Sequence, residues 1–145
     1  MSLPFESSPG DEHTLTLGGR RYDVYKLIRL TSHIVPVELP GETLRELVSV
    51  EHCWTDSLER GFSPRELLGQ YEECGSWELL ECRFPHWSDH IRKVMEADCQ
   101  YPILMYRGEV IDGMHRTVRA TVDRLPTLRA RKLDELPDTA RYYGS

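Results

Sequence analysis

The stretch that decides the fold is Tyr101–Leu125, YPILMYRGEVIDGMHRTVRATVDRL. Tyr101–Tyr106 and Glu109–Asp112 read as two short apolar strands joined at Arg107-Gly108, and the second runs directly into Asp112-Gly113-Met114-His115-Arg116. Beyond that turn Val118, Val122 and Leu125 recur at helical spacing, with Arg116 and Arg119 projecting elsewhere. A strand that passes through Asp-Gly into a helix makes an anion site. The first amides of the helix point outward with partial positive charge, Gly113 permits close backbone approach, and His115 and Arg116 add side-chain donors. Phosphate is the first ligand to suspect. The plainer alternative has Asp112 capping the helix and Arg116 in a surface ion pair.

Working outward, Leu128–Leu133 (LRARKL) alternates as a strand, with Arg129 and Arg131 toward solvent or one of them reaching the phosphate site. Upstream, Trp87 or Ser88 to about Asp98 reads as a helix with Ile91, Val94 and Met95 toward the core, and Arg83–His86 forms the turn before it. Ser63-Pro64-Arg65-Glu66 is a capped helix start, and Thr43–Val50 carries Leu44, Leu47 and Val48 at helical spacing. The irregular segment Glu51–Phe62 brings His52, Trp54 and Asp56 close in sequence. These three are candidate substrate-lining residues, with Trp54 stacking on a base or apolar group and Asp56 binding a cation; the alternative makes Trp54 a core anchor and leaves His52 and Asp56 at the surface.

Nearer the start, Ser32–Pro40 is punctuated by Pro36 and Pro40, so it reads as a connector or edge strand, with Glu38 its one acid. Thr14–Leu17, the Gly18-Gly19 turn and Arg20–Leu30 read as a β-hairpin. Residues 1–12 are expected to be loose and 13–145 to form one domain. Its tail, Asp134–Ser145, is expected to dock through Leu136, Tyr142 and Tyr143. The fold class expected is α/β (α+β), a small mixed sheet with flanking helices.

Composition limits the functions open to such a domain. A net charge of -6 over 145 residues disfavours a partner held mainly through nucleic-acid backbone. A mean hydropathy of -0.50 fits an ordinary soluble protein, and no apolar run approaches the ~20 residues of a membrane span. Met1–Glu12 lacks the apolar region of a secretory leader, so a cytoplasmic location without membrane association is expected. Cys53, Cys74, Cys82 and Cys99 lack zinc-site spacing and read as buried or free thiols.

The run of strand, Asp-Gly-x-His-Arg, helix and strand resembles the core of the ParB/sulfiredoxin-like superfamily. The earlier Ile34-Val35-Pro36-Val37-Glu38 is similar to that superfamily's Ile-x-Pro-x-Glu segment. Sulfiredoxins place their reactive Cys immediately before the His-Arg pair, where this chain has Met114, which supplies no thiolate. Partitioning ParB proteins append a helix-turn-helix region beyond this core, and with none read before Ser145 a partitioning role is not expected. Closest in character are the free-serine kinases. That likeness implies Glu38 as a base on a substrate hydroxyl, with Asp112, Gly113, Met114, His115 and Arg116 holding nucleotide phosphate. It further implies a catalytic part for His115 and Asp112 as ligand of a phosphate-bound Mg²⁺. The function implied is an ATP- or ADP-dependent phosphotransferase acting on a small hydroxyl or amine compound. A non-catalytic nucleotide-sensing or protein-interaction module and a ParB-like nuclease stand as the alternatives. One departure bears on helix packing: Arg119 occupies the place where many members have Ala, which here comes at Ala120.

Overall fold

The computed structural model describes residues 14–17, 19–50 and 54–142. Its centre is a four-stranded mixed sheet made from the stretch quoted above and its neighbours. β6 (Ile103–Tyr106) and β7 (Glu109–Asp112) form an antiparallel hairpin, and α6 (Met114–Val122) carries the chain back to β8 (Thr127–Leu133), which lies parallel to β6. β3 (Val37–Pro40) pairs antiparallel with β8 and closes the order β3-β8-β6-β7. Its edge position suits Pro40, which has no amide hydrogen to donate to a ladder.

Alternation along the strands divides the core. Leu39, Ile103, Met105, Leu128 and Ala130 point to one face and pack with Leu44 of α2 (Gly41–Leu47) and Ala120 of α6. Leu104 points to the other, with Ile111 beside it. There it meets Tyr22 of the hairpin β1–β2 (Thr14–Leu17, Arg20–Asp23), Leu27 of α1 (Val24–Leu30) and Ala140 of a 3₁₀ turn at Asp138–Ala140. A third cluster joins Met114 and Val118 of α6 to α3 (Pro64–Cys74), α4 (Trp77–Arg83) and α5 (Ser88–Met95), with Trp54 and Phe62 of the miniature hairpin β4–β5 (Trp54–Thr55, Gly61–Phe62). α6 therefore separates two cores and is buried on both sides.

Several local expectations change. The strand expected over Arg20–Leu30 stops at Asp23, whose side chain accepts from the Lys26 amide and starts α1. That cap, with Val24 and Leu27 buried three residues apart, outweighs the strand preference of Val24 and Tyr25. α4 was not anticipated; Gly75 ends α3 at φ 70, and Ser76 at once caps the next helix through the Leu79 amide. Met95, expected in the core, is 40% exposed, because α5 buries Ile91 and Val94 and turns the next residue outward. Arg119 donates to the Val94 and Met95 carbonyls there and closes that helix end. Arg131, expected to face solvent, is part-buried and donates to the Ile34 carbonyl. Of the tail, Leu136 packs under the N-terminal hairpin and the Tyr142 amide donates to the Arg21 carbonyl. Tyr143, the loose start over residues 1–12 and the turn at Gly18 lie outside the described residues. Among the described residues, no helix is long and apolar enough to cross a membrane.

Gly113 makes the turn from β7 into α6 possible. Its φ is 104, and a Cβ there would lie 2.6 Å from Ile103 Cγ2 and 2.8 Å from the Arg116 guanidinium. Strain at such a φ and overpacking each cost roughly 1–3 kcal/mol. Gly113→Ala is therefore expected to lower stability by about 2–6 kcal/mol, measured from urea unfolding midpoints.

Candidate functional site

The Asp-Gly-Met-His-Arg segment splits into an inner and an outer half. Asp112 and Arg116 turn inward, 6% and 3% exposed, and Arg116 Nη2 donates to Asp112 Oδ2 at 2.9 Å. Arg116 Nη1 reaches the Pro102 carbonyl at 2.8 Å. The ion pair is thus internal, contrary to the surface pair considered from sequence. Its position also changes the part expected for these residues: both face each other inside the protein instead of presenting themselves to phosphate or a cation. Nor does Asp112 cap α6, since Gly113 holds the cap position and has no side chain to bond the helix amides.

Burial pushes the Asp112 carboxyl up to about 6, even though Arg116 pulls the other way by charge and hydrogen bond. Desolvation dominates because both groups have left water.

The outer half is His115. Its Nε2 lies 2.9 Å from Nδ1 of His90 on α5, and His90 Nε2 lies 3.0 Å from the Thr55 carbonyl oxygen. Both imidazoles lie nearly parallel to the Trp54 indole, with ring centroids at 4.6 Å for His115 and 4.8 Å for His90. Phe62 meets the edge of His90, and Trp87 and Phe84 continue the aromatic run behind it. Burial lowers the His90 pKa, which favours the neutral ring. Trp54 therefore serves as the core anchor of the plainer reading and as the platform beneath the histidine pair.

The remaining expected residues lie elsewhere. Asp56 is buried in its own loop, accepting from the Leu58 and Arg60 amides and from Arg60 Nε. Burial opposes its ionisation, but those bonds prevail and hold the carboxyl below its usual range. It shapes the β4–β5 turn and is occupied there, which differs from the cation-binding part expected of it. His52 lies outside the described residues. Glu38 is exposed on β3, opposite Arg129 of β8. Asp112 ends β7 at the other edge of the sheet. Three inter-strand spacings separate those edges, about 14 Å. Glu38 also alternates with Leu39, which points to the α6 side, so the glutamate belongs to the opposite face. The structure thus does not bring Glu38 to His115.

Met114 lines a groove of about 320 Å³ together with Leu47, Val50 and Val110, and Glu46 and Glu109 add carboxylates to its lining. A larger open groove, about 750 Å³, runs past Phe84, Trp87, Arg65 and Glu73. Among the described residues, no group of three or more His, Cys, Asp or Glu side chains could hold a metal ion.

Sequence reasoning missed His90 and Thr55. His90 directly precedes Ile91 on an amphipathic helix, where an isolated histidine reads as surface. Only its spatial pairing with His115, 25 residues on, distinguishes it. No family model, curated protein or solved structure matches the chain.

Two expectations follow for the inner pair. Arg116→Met alone leaves a buried carboxyl without its partner and should cost about 3–5 kcal/mol, whereas combining it with Asp112→Leu should recover most of that loss in urea unfolding. The pH dependence follows from the raised Asp112 value. Between about 4 and about 6 the folded chain keeps a proton that the unfolded chain has released. The Asp112 contribution to stability therefore falls as pH rises through that window and is flat above it. The difference in unfolding free energy between wild type and Asp112→Asn should shrink over that interval. The lowered His90 value acts with the opposite sign, since stability it contributes above its ordinary pKa is lost as pH falls below it.

Proposed function

We propose that this chain binds a phosphorylated small molecule, a nucleotide of the ATP or ADP type, at the start of α6, and that His115 moves a proton there. The observation that carries this reading is the combination at one turn of the positive end of a nine-residue helix, a glycine at its cap and a supported imidazole in its first turn. A helix N-terminus favours negative charge by its dipole and by the direction of its first amides. The groove beside Met114 offers apolar room for the rest of the ligand. Glu46 and Glu109 repel phosphate from that side and favour an amine or a base edge there. Likeness of the motif to the ParB/sulfiredoxin-like superfamily, and a mixed sheet flanked by helices, support the same ligand class.

As a phosphotransferase, the chain would use His115 in place of Glu38 as the base that takes the proton of an attacking hydroxyl. The resulting imidazolium would lie on the Trp54 face, where cation–π attraction favours it. The residues do not fit a protein-held Mg²⁺, because Asp112, the one carboxylate of the motif, is committed to Arg116. The same commitment favours, as a second reading, a module that binds nucleotide without breaking a bond.

Thermal unfolding with ATP, ADP and inorganic phosphate tests the binding. A ligand at 100 times its Kd stabilises by about 2.7 kcal/mol, enough to raise Tm by several degrees in a domain of this size. His115→Gln should retain the fold and lose phosphate transfer, followed by phosphorus NMR. No shift with any nucleotide, with or without Mg²⁺, removes this reading. A shift without phosphate transfer or release over a substrate panel selects the binding module.

A further inference from the structure

We propose that His90 is a positioning residue that locks His115 in a single tautomer, with the proton on Nε2 and Nδ1 as the basic nitrogen. The part this plays in proton transfer rests on the function proposed above. The lock itself rests on hydrogen-bond geometry alone.

The polarity is set at the end of the chain of bonds. A backbone carbonyl oxygen can only accept, so the 3.0 Å contact between His90 Nε2 and the Thr55 oxygen requires the proton to sit on that nitrogen. In a neutral imidazole the other nitrogen then has no hydrogen and accepts. His90 Nδ1 therefore accepts from His115 Nε2 across 2.9 Å, which places the His115 proton on Nε2. Both of these bonds run toward Thr55, so a neutral His115 ring carries its hydrogen on Nε2. Neither ring can rotate cheaply out of this arrangement. Both are stacked on Trp54, and Phe62 abuts the edge of His90.

The elements involved are also fixed independently of any ligand. Thr55 belongs to the β4–β5 hairpin, whose turn is tied by Asp56 to the Leu58 and Arg60 amides. His90 stands between the charged Asp89 and the buried Ile91 of α5. His115 follows Met114, which is packed into the helical core. Three separate segments thus converge on the histidine pair. Partners that orient metal-ligating histidines are worth roughly 10–100-fold, and a loss of that order is expected here.

Nitrogen NMR on the full chain labelled in its histidines reads the tautomer directly, without a ligand. Wild type at neutral pH is expected to show a pyrrole-type Nε2 and a pyridine-type Nδ1 on His115, with scalar coupling across the bond to His90 Nδ1. His90→Gln supplies both an amide oxygen and an N–H group and should keep the His115 tautomer. His90→Phe keeps the stack on Trp54 but offers no acceptor, so His115 should become a tautomeric mixture. In a transfer assay the Phe variant should lose turnover about 10–100-fold with KM little changed, and the Gln variant should restore most of it. The lock is overturned if wild-type His115 carries its proton on Nδ1, or if folded His90→Phe retains the wild-type tautomer. Should His90→Phe fail to fold, absence of the His115–His90 coupling in wild type overturns it equally. A wild-type chain with the expected spectra and no affinity for nucleotide would sink the phosphate reading while supporting the lock.

Discussion

Burying a guanidinium against a carboxylate is the constraint on which the rest of this structure depends. Arg116 ties the first turn of α6 to the end of β7 through Asp112 and to the entrance of β6 through the Pro102 carbonyl. One side chain thereby fixes the helix against two strands of the sheet. The arrangement is costly, since each charge has lost its water, and its value lies in specifying one geometry. With no Cβ at Gly113 to obstruct it, the guanidinium passes close beneath the turn, and His115 is held on the outer side.

Much of this framework was legible in the sequence. Two strands around Arg107-Gly108, the helix after Gly113, the strand after Pro126 and the edge strand beside Pro36 all follow from periodicity and from the chemistry of Gly and Pro. Ser63-Pro64 announced α3 in the same way. Less legible were α1 and α4, short helices that depend on a single capping side chain each and on burial in clusters assembled from distant parts of the chain.

The site was half legible. A pattern of Asp, Gly, His and Arg marks the turn as chemically unusual, but it does not tell which side chains turn inward. α6 buries Met114, Arg116, Thr117, Val118, Ala120 and Thr121, so its burial extends well beyond the single stripe that periodicity detects. Thr117 and Thr121 tolerate this because their hydroxyls donate to the Gly113 and Thr117 carbonyls. Arg116 tolerates it because Asp112 lies one helical turn back. Glu38 and Asp112, which a linear motif reading couples, stand on opposite edges of the sheet. His90 supplies the partner that the motif lacked, from a helix that carries no motif at all.

The back of the sheet imposes an order on how the chain is made. Leu104 and Ile111 are covered by the first hairpin and α1, yet that cover is itself joined to the end of the chain. Tyr22 bridges to Arg141, and the Tyr142 amide bonds the Arg21 carbonyl. During synthesis the hairpin therefore emerges well ahead of the strands and the C-terminal segment it packs against, and roughly a hundred further residues must leave the ribosome before they are available, several seconds or more at ordinary elongation rates. Through that interval Tyr22, Val24 and Leu27 lack the partners that bury them in the folded chain, so a segment made well before the sheet settles only after it.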